Sequence, residues 1–168
     1  MTALVSIVMG SKSDLEIMSE AAKVLREFDV PYELRVISAH RTPDRAHEFG
    51  RSAKGRGTKV IIAGAGKAAH LAGVMASLTT LPVIGVPMTT SDLGGLDSLL
   101  STVQMPGGIP VATTAIGKAG AQNAGLLAVS ILALTDERLA TQLDAYREKM
   151  SRQVEQADAD VQGMTDEA

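Results

Sequence analysis

Five short apolar runs, rich in β-branched residues, recur along the chain with turns and helical patterns between them. They cover residues 4–9, 32–37, 59–63, 83–86 and 111–115. After the first run, apolar residues recur at three- and four-residue spacing and predict a helix that begins near Leu15 and ends near Phe28. Further helices are predicted from Thr42–Pro43 onward, over 67–78 and over 118–134. Apolar strands that alternate with helices predict one parallel sheet covered on both faces, a three-layer α/β/α domain.

The segment after residue 135 has a different pattern. Apolar residues recur there every three or four positions, and polar side chains occupy the other faces: Leu139, Leu143, Tyr146, Met150 and Val154. We therefore divide the chain into an α/β domain at 1–135, an amphipathic helix at 136–157 and a polar, acidic tail at 158–168 that we expect to be flexible. The helix can bury its apolar stripe on its own domain or on a neighbouring subunit. We expect it to pack on a neighbouring subunit.

The composition of the chain limits which binding partners and which cellular compartment we expect. The chain has 168 residues, of which 45% are hydrophobic and 21% charged, as in a globular domain. A net charge of −3, with two tyrosines, two phenylalanines and no tryptophan, gives no reason to expect nucleic acid. The absence of cysteine excludes disulfides and thiol catalysis and favours a reducing cytoplasm. No apolar stretch approaches about 18 residues and no basic segment precedes the first run, so neither a membrane span nor a signal peptide is expected.

Candidate chemistry lies in the loops after the first three strands, at residues 10–14, 38–42 and 64–70. The carboxyl ends of parallel strands meet at one edge of the sheet, where ligands bind in open α/β folds. His40 stands beside Arg41 in the second loop; an imidazole transfers protons near pH 7, and a guanidinium suits phosphate. In the first loop, Ser13 or Asp14 can cap a helix. Alternatively, Ser11 can hold a phosphate while Asp14 accepts hydrogen bonds from sugar hydroxyls.

The glycine-rich third loop fails as a P-loop, because Ala68 follows Lys67 and no glycine stands five residues before Gly66. Its spacing matches a permissive dinucleotide fingerprint, but after the third strand instead of the first, so a nicotinamide cofactor is disfavoured. The glycines allow a small planar ligand to approach the backbone closely. His47 and His70 fall inside helical patterns and form no ligand set with His40, so no metal is predicted.

Several blocks, in order, resemble one enzyme family: MGSKSD (9–14), SAHRTP (38–43), AGAG and AAHL (63–66 and 68–71), GVP (85–87), DSLLS (97–101) and QMPGGIPVAT (104–113). They are similar to class I N5-carboxyaminoimidazole ribonucleotide mutases, the catalytic subunits of purine-pathway phosphoribosylaminoimidazole carboxylase, from residue 4 to 133. The resemblance implies a flavodoxin-like fold, a cytoplasmic homo-octamer and no cofactor. It implies an isomerase that converts 5-carboxyamino-1-(5-phospho-D-ribosyl)imidazole to 5-amino-1-(5-phospho-D-ribosyl)imidazole-4-carboxylate. It also suggests a functional link to the ATP-dependent carboxyaminoimidazole ribonucleotide synthetase.

The resemblance implies roles for individual residues. His40 matches the general acid/base, Ser11 and Arg41 match phosphate ligands, and Asp14 matches the ribose ligand. The backbone wall around the imidazole and its carboxylate is matched by Ser38, Ala39, Gly64, Ala65 and Gly66. The chain departs from the family where Lys67 replaces a usual glycine and Ala72 a usual proline. We expect the Lys67 side chain to point to solvent from the first turn of the predicted helix; the alternative is a cation facing the migrating carboxylate.

Two other functions stay open. One is direct carboxylation of the aminoimidazole with CO2, by a sister enzyme whose motif resembles SAHKT more than the SAHRTP of residues 38–43. The other is a non-catalytic nucleotide- or flavin-binding module. The scarcity of aromatic residues that could sandwich a flavin, and the presence of His40, argue against that module.

Overall fold

The structure is a computed structural model that describes residues 2–166. Its sheet has the strands β1 (Val5–Met9), β2 (Tyr32–Val36), β3 (Val60–Ala65), β4 (Val83–Pro87) and β5 (Ala112–Thr113), all parallel, in the order β2-β1-β3-β4-β5. The helices in the described residues are α1 (Leu15–Glu27), α2 (Pro43–Ser52), α3 (Leu71–Leu78), α4 (Leu96–Val103), α5 (Lys118–Ala133) and α6 (Glu137–Asp166). This strand order is that of the flavodoxin-like fold, so the predicted α/β/α architecture is confirmed.

Each face of the sheet has its own hydrophobic core. On one face, Ile7 and Met9 of β1 pack with α1, α5 and the start of α6. On the other face, Val8 of β1 and Ile61 of β3 pack with α2 and α3. The central strands β1, β3 and β4 are buried almost throughout, which explains why their sequences are continuous apolar runs.

Two elements differ from their predicted bounds. The strand predicted over 111–115 pairs with β4 only at Ala112 and Thr113, because this strand lies at the sheet edge and Pro110 before it has no N–H to donate. The helix predicted over 67–78 begins four residues later, at Leu71. Lys67 has a φ of +57°, a left-handed conformation that cannot continue a right-handed helix. α4 is an additional helix that the periodicity did not predict.

The C-terminal helix α6 is longer than predicted. It continues to Asp166, whereas the predicted helix ends at residue 157. Side-chain hydrogen bonds one turn apart support the polar extension, from Gln156 to Asp160 and from Gln162 to Asp158. Residues 167–168 of the predicted tail lie outside the described residues. The predicted flexibility of the tail and the predicted division at residue 135 stay predictions.

The two halves of α6 have different surroundings. In the first half, Leu139 is buried in the core and the Tyr146 ring lies 5.7 Å from the Phe28 ring, centroid to centroid. Beyond Tyr146 the stripe is exposed, since Met150 is 47% exposed and Val154 is 70% exposed. The domain therefore covers only the first half of the apolar stripe. Within residues 2–166, no helix combines the length and the apolar character needed to cross a membrane.

Candidate active site

A cavity of about 550 Å³ opens at the carboxyl edge of the sheet. Its walls are the loops after β1, β2, β3 and β4, and its centre lies at the point between β1 and β3 where the strand order reverses. The volume is typical of a small-molecule site, about 300–1,000 Å³. The structure brings all but one of the residues predicted for the site into this lining: Ser11, Asp14, Ser38, Ala39, His40, Arg41, Ala65 and Gly66.

The first wall is a capped turn that carries Ser11 and Asp14. Ser11 Oγ accepts from the backbone N–H of Ser13 (3.3 Å), and Asp14 Oδ2 accepts from the backbone N–H of Ser11 (3.1 Å). This reciprocal pair is a capping box on a short 3₁₀ turn, Lys12–Asp14. Burial raises the pKa of the Asp14 carboxyl above its usual value, against hydrogen bonds from Ser11 and Ser13 and the charge of Arg41. The predicted cap was Ser13 or Asp14, whereas the cap here is Ser11 with Asp14 as its reciprocal partner, and Asp14 makes no side-chain capping bond as the N-cap of α1. Ser11 and Asp14 also line the cavity.

Arg41 connects the second wall to the first. Its Nη2 donates to the backbone oxygen of Gly10 (2.9 Å), and its backbone N–H donates to Ser38 Oγ (3.1 Å). Thr42 occupies the predicted N-cap position of α2, but its hydroxyl does not cap the helix. It donates to the backbone oxygen of Ser38 (2.9 Å) and so closes the turn that carries His40 and Arg41. The turn places a guanidinium beside the Ser11–Asp14 wall, where an anionic group can bind.

The most informative contact in the cavity joins two histidines. Nε2 of His40 lies 2.8 Å from Nδ1 of His70, and the two rings meet edge to face at a centroid distance of 4.9 Å. One of these nitrogens donates and the other accepts, so the pair shares one proton. His70 was not predicted as a site residue, because the periodicity placed it inside a helix. His70 is instead the N-cap of α3, at the cavity wall. Only the AAHL block at 68–71 offered a signal for it.

Gly64 is the predicted site residue that does not line the cavity. A Cβ at this position would lie 2.3 Å from Sδ of Met18 and 2.6 Å from Cε of Met88, so a larger residue would have to displace these two methionine side chains beneath the site. Its backbone oxygen accepts from the N–H of Gly10 (3.2 Å), which joins the first and third walls. The fourth wall, residues 88–91, was not predicted.

Lys67 and Ala72, the two departures from the family pattern, have different environments. Ala72 is buried in the first turn of α3. The predicted placement of Lys67 in a helix is wrong, although its side chain is 70% exposed as expected. Its Nζ lies 2.5 Å from Oδ2 of Asp92, in the loop after β4. Among residues 2–166, no three histidine, aspartate or glutamate side chains are placed to hold a metal ion; the absence of a cofactor stays a prediction.

Comparison with known proteins decides the family. A family model described as AIR carboxylase matches residues 4–153. The chain belongs to the AIR carboxylase family. Its match covers every wall of the cavity and the first half of α6. This membership disfavours a non-catalytic flavin-binding module.

Within the AIR carboxylase family, several similar proteins are named N5-carboxyaminoimidazole ribonucleotide mutase. An N5-carboxyaminoimidazole ribonucleotide mutase of Bacillus subtilis is 61% identical over 154 residues, which are 92% of this chain and 95% of that protein. One of Pyrococcus abyssi is 61% identical over 148 residues, 88% of this chain and 84% of that protein. A bifunctional purine synthesis protein of Dictyostelium discoideum is 54% identical over 157 residues, 94% of this chain but 16% of that longer protein.

A solved structure supports the same fold. The crystal structure of Treponema denticola PurE superposes with a TM-score of 0.85 at 28% sequence identity, covering 94% of this chain and 97% of that one.

Proposed function

We propose that this chain is an N5-carboxyaminoimidazole ribonucleotide mutase of de novo purine (IMP) biosynthesis. It is an isomerase that converts 5-carboxyamino-1-(5-phospho-D-ribosyl)imidazole to 5-amino-1-(5-phospho-D-ribosyl)imidazole-4-carboxylate. The observation that carries the proposal is one cavity in which a histidine pair, His40 and His70, faces the Ser11, Asp14 and Arg41 group. The names of relatives that share more than half of the sequence support the reaction assigned.

Substrate binding divides the cavity into two parts. Arg41 and Ser11 bind the phosphate, because a guanidinium and a hydroxyl beside a helix start complement an anion. Asp14 accepts from the ribose hydroxyls. The backbone of Ser38, Ala39, Ala65 and Gly66 surrounds the imidazole and its carboxylate, and Gly64 supports that wall from below. Arg41 anchors the phosphate so that its neighbour His40 reaches the ring.

The reaction moves one carboxyl group and one proton in opposite directions. First the bond between the exocyclic nitrogen and the carboxyl carbon breaks; CO2 is released and the nitrogen gains a proton. Then C4 attacks the carbon of CO2, and His40 takes the proton from C4. Because a histidine that donates the first proton recovers it from C4, it ends in its starting state, and no oxidant or reductant is needed. An imidazole side chain can both donate and accept a proton near neutral pH, as both transfers require.

The histidine pair adds one requirement to this scheme. Nε2 of His40 is bonded to Nδ1 of His70. The proton transfer can therefore use Nδ1, the other ring nitrogen of His40. Alternatively, the substrate replaces His70 as the hydrogen-bond partner of Nε2. In the first case, the bond to His70 occupies Nε2 of His40 and leaves Nδ1 for the substrate, so that His70 acts as a positioning residue.

The proposal includes an assembly and a setting. We propose a cytoplasmic homo-octamer in which the second half of α6 packs on a neighbouring subunit. Exposed apolar side chains support that contact, since Val154 is 70% and Met164 is 73% exposed. No cofactor, nucleic acid or membrane takes part. A relative that joins this fold to a longer purine synthesis protein supports a link to other purine enzymes. The family resemblance extends this proposal to the ATP-dependent carboxyaminoimidazole ribonucleotide synthetase.

Isotope tracing tests the proposed function against direct carboxylation. Carbamate substrate labelled with ¹³C at its carboxyl is turned over in unlabelled bicarbonate buffer, and the C4 carboxylate is analysed by mass spectrometry. We expect most of the label to be retained, because CO2 bound beside C4 reacts before it escapes. A direct carboxylase would require added CO2 or bicarbonate and would take its carbon from solution. Extensive loss of label, after correction for spontaneous breakdown of the carbamate, would contradict the mutase assignment.

A further inference from the structure

Lys67 connects two walls of the cavity. It lines the cavity as part of the third wall, and its Nζ lies 2.5 Å from Oδ2 of Asp92, which directly follows Ser91 of the fourth wall. Its backbone is held separately, because its N–H donates to Oγ of the buried Ser98 (3.0 Å) in α4. The lysine is thus fixed to α4 by its backbone while its side chain reaches toward the mouth of the cavity.

The backbone conformation suggests that this side chain serves a purpose. Lys67 has a φ of +57°, in the left-handed region, where a glycine carries no steric cost and a lysine does. The family resemblance places a glycine at this position. A lysine therefore occurs where glycine is the less strained choice, and its ammonium group is committed to one carboxylate.

The ionic partners favour each other's charged forms. The hydrogen bond and the charge of Lys67 lower the pKa of Asp92, and those of Asp92 raise the pKa of Lys67. Both groups thus stay charged near neutral pH. An ammonium bound to Asp92 is directed to the rim of the cavity, which disfavours the alternative in which Lys67 contacts the migrating carboxylate.

We propose that the Lys67–Asp92 pair is a latch that holds the fourth wall, residues 88–91, against the third wall and slows the escape of CO2 during turnover. Both residues are positioning residues, since they act through the cavity wall. This inference rests on the proposed mutase function, in which CO2 is formed and consumed inside the cavity. The exposed fractions of the two side chains, 70% and 59%, limit the latch to a modest effect.

The test measures carbon exchange. Unlabelled carbamate substrate is turned over in ¹³C-bicarbonate, and the fraction of product that carries ¹³C is the escape readout. The variants Lys67→Met, Asp92→Asn and their double should each increase this fraction about two- to fivefold, the range expected for an exposed ion pair. The double variant should equal the singles, because each substitution removes the same interaction. The exchanged pair, Lys67→Asp with Asp92→Lys, should restore retention, since aspartate tolerates a left-handed φ.

A matched control is available. Lys118 and Glu16 form another exposed ion pair, 2.6 Å apart and outside the cavity lining. Lys118→Met should leave the exchange fraction unchanged. Lys67→Gly is a second latch variant. Because glycine adopts a left-handed φ without steric cost, this variant still tests the latch if Lys67→Met does not fold.

The results distinguish failure of the latch from failure of the proposed mutase function. Equal exchange in wild type and all latch variants overturns the latch and leaves the mutase intact. Loss of substrate affinity in Lys67→Met but not in Asp92→Asn also overturns it, because the lysine would then bind substrate directly. Absence of product from the wild-type chain overturns the proposed function and the latch with it.

Discussion

Replacing His40 by asparagine should remove most turnover while substrate binding survives. The side chain is exposed at the cavity, so the substitution leaves no hole in either core. Asparagine can still hydrogen bond to His70 but cannot accept and release a proton near pH 7. General acid/base catalysis contributes about 10²- to 10⁴-fold, which corresponds to roughly 2.7–5.5 kcal/mol of activation free energy. We therefore expect kcat to fall by at least about 100-fold.

The assay follows formation of the C4 carboxylate and separates kcat from KM. His47→Asn is the matched control, because His47 is an exposed histidine of α2 that does not line the cavity. Its kcat should match that of the wild-type protein. Binding of the product ribonucleotide to His40→Asn, measured by calorimetry, should stay near the wild-type value, since the phosphate and ribose contacts remain. A His40→Asn protein with more than a tenth of wild-type kcat would show that His40 is not the proton carrier.

Three further predictions follow from the site and the fold. Arg41→Lys should raise KM about 10- to 100-fold, because hydrogen bonds between charged groups contribute about 1.5–3 kcal/mol; equal affinities in a binding titration would remove Arg41 from the phosphate site. Asp14→Asn should weaken substrate binding yet raise the melting temperature at pH 7. Burial raises the pKa of Asp14, so its carboxyl stabilises the fold at low pH and that contribution is lost as pH rises through the folded pKa; the gain should vanish in acid, and a gain that persists there would contradict this account. Deletion of residues 150–168 spares the buried half of α6 and should reduce the oligomer seen by light scattering, whereas an unchanged size would exclude that half from the assembly.

The sequence was most informative where one periodicity dominates. Strands buried on both faces must be continuous apolar runs, so the bounds of β1, β3 and β4 differ by at most two residues from those predicted. The bounds of the edge strand β2, which is partly exposed, differ by one residue. The bounds failed where local backbone conformation decides them. The small residues around Lys67 favour a helix, yet the left-handed φ of Lys67 excludes it from one, and α3 begins at Leu71. His70, which the periodicity placed inside that helix, is instead its N-cap and lines the cavity.

The sequence predicts which loops carry the site residues, but not which of these loops contact each other. Placing His40 and Arg41 after β2 needed only the rule that ligands bind at the carboxyl edge. Periodicity carries no information on which loops face each other. The fourth wall and the Lys67–Asp92 ion pair therefore become visible only in the three-dimensional structure. Gly64 lies below the cavity lining. The resemblance placed it in the wall, whereas its missing side chain leaves room for Met18 and Met88 in the core below.

The first loop shows that capping and substrate binding are compatible interpretations of the same residues. Ser11 Oγ uses an acceptor lone pair on the N–H of Ser13, so its own proton can still be donated to a phosphate oxygen. Asp14 uses one carboxylate oxygen for the N–H of Ser11, so acceptor capacity remains for a ribose hydroxyl. Capping fixes both side chains before substrate arrives, and less conformational entropy is then lost on binding. A residue that caps a turn at the carboxyl edge of a parallel sheet is for this reason a stronger binding candidate than a free side chain of the same type.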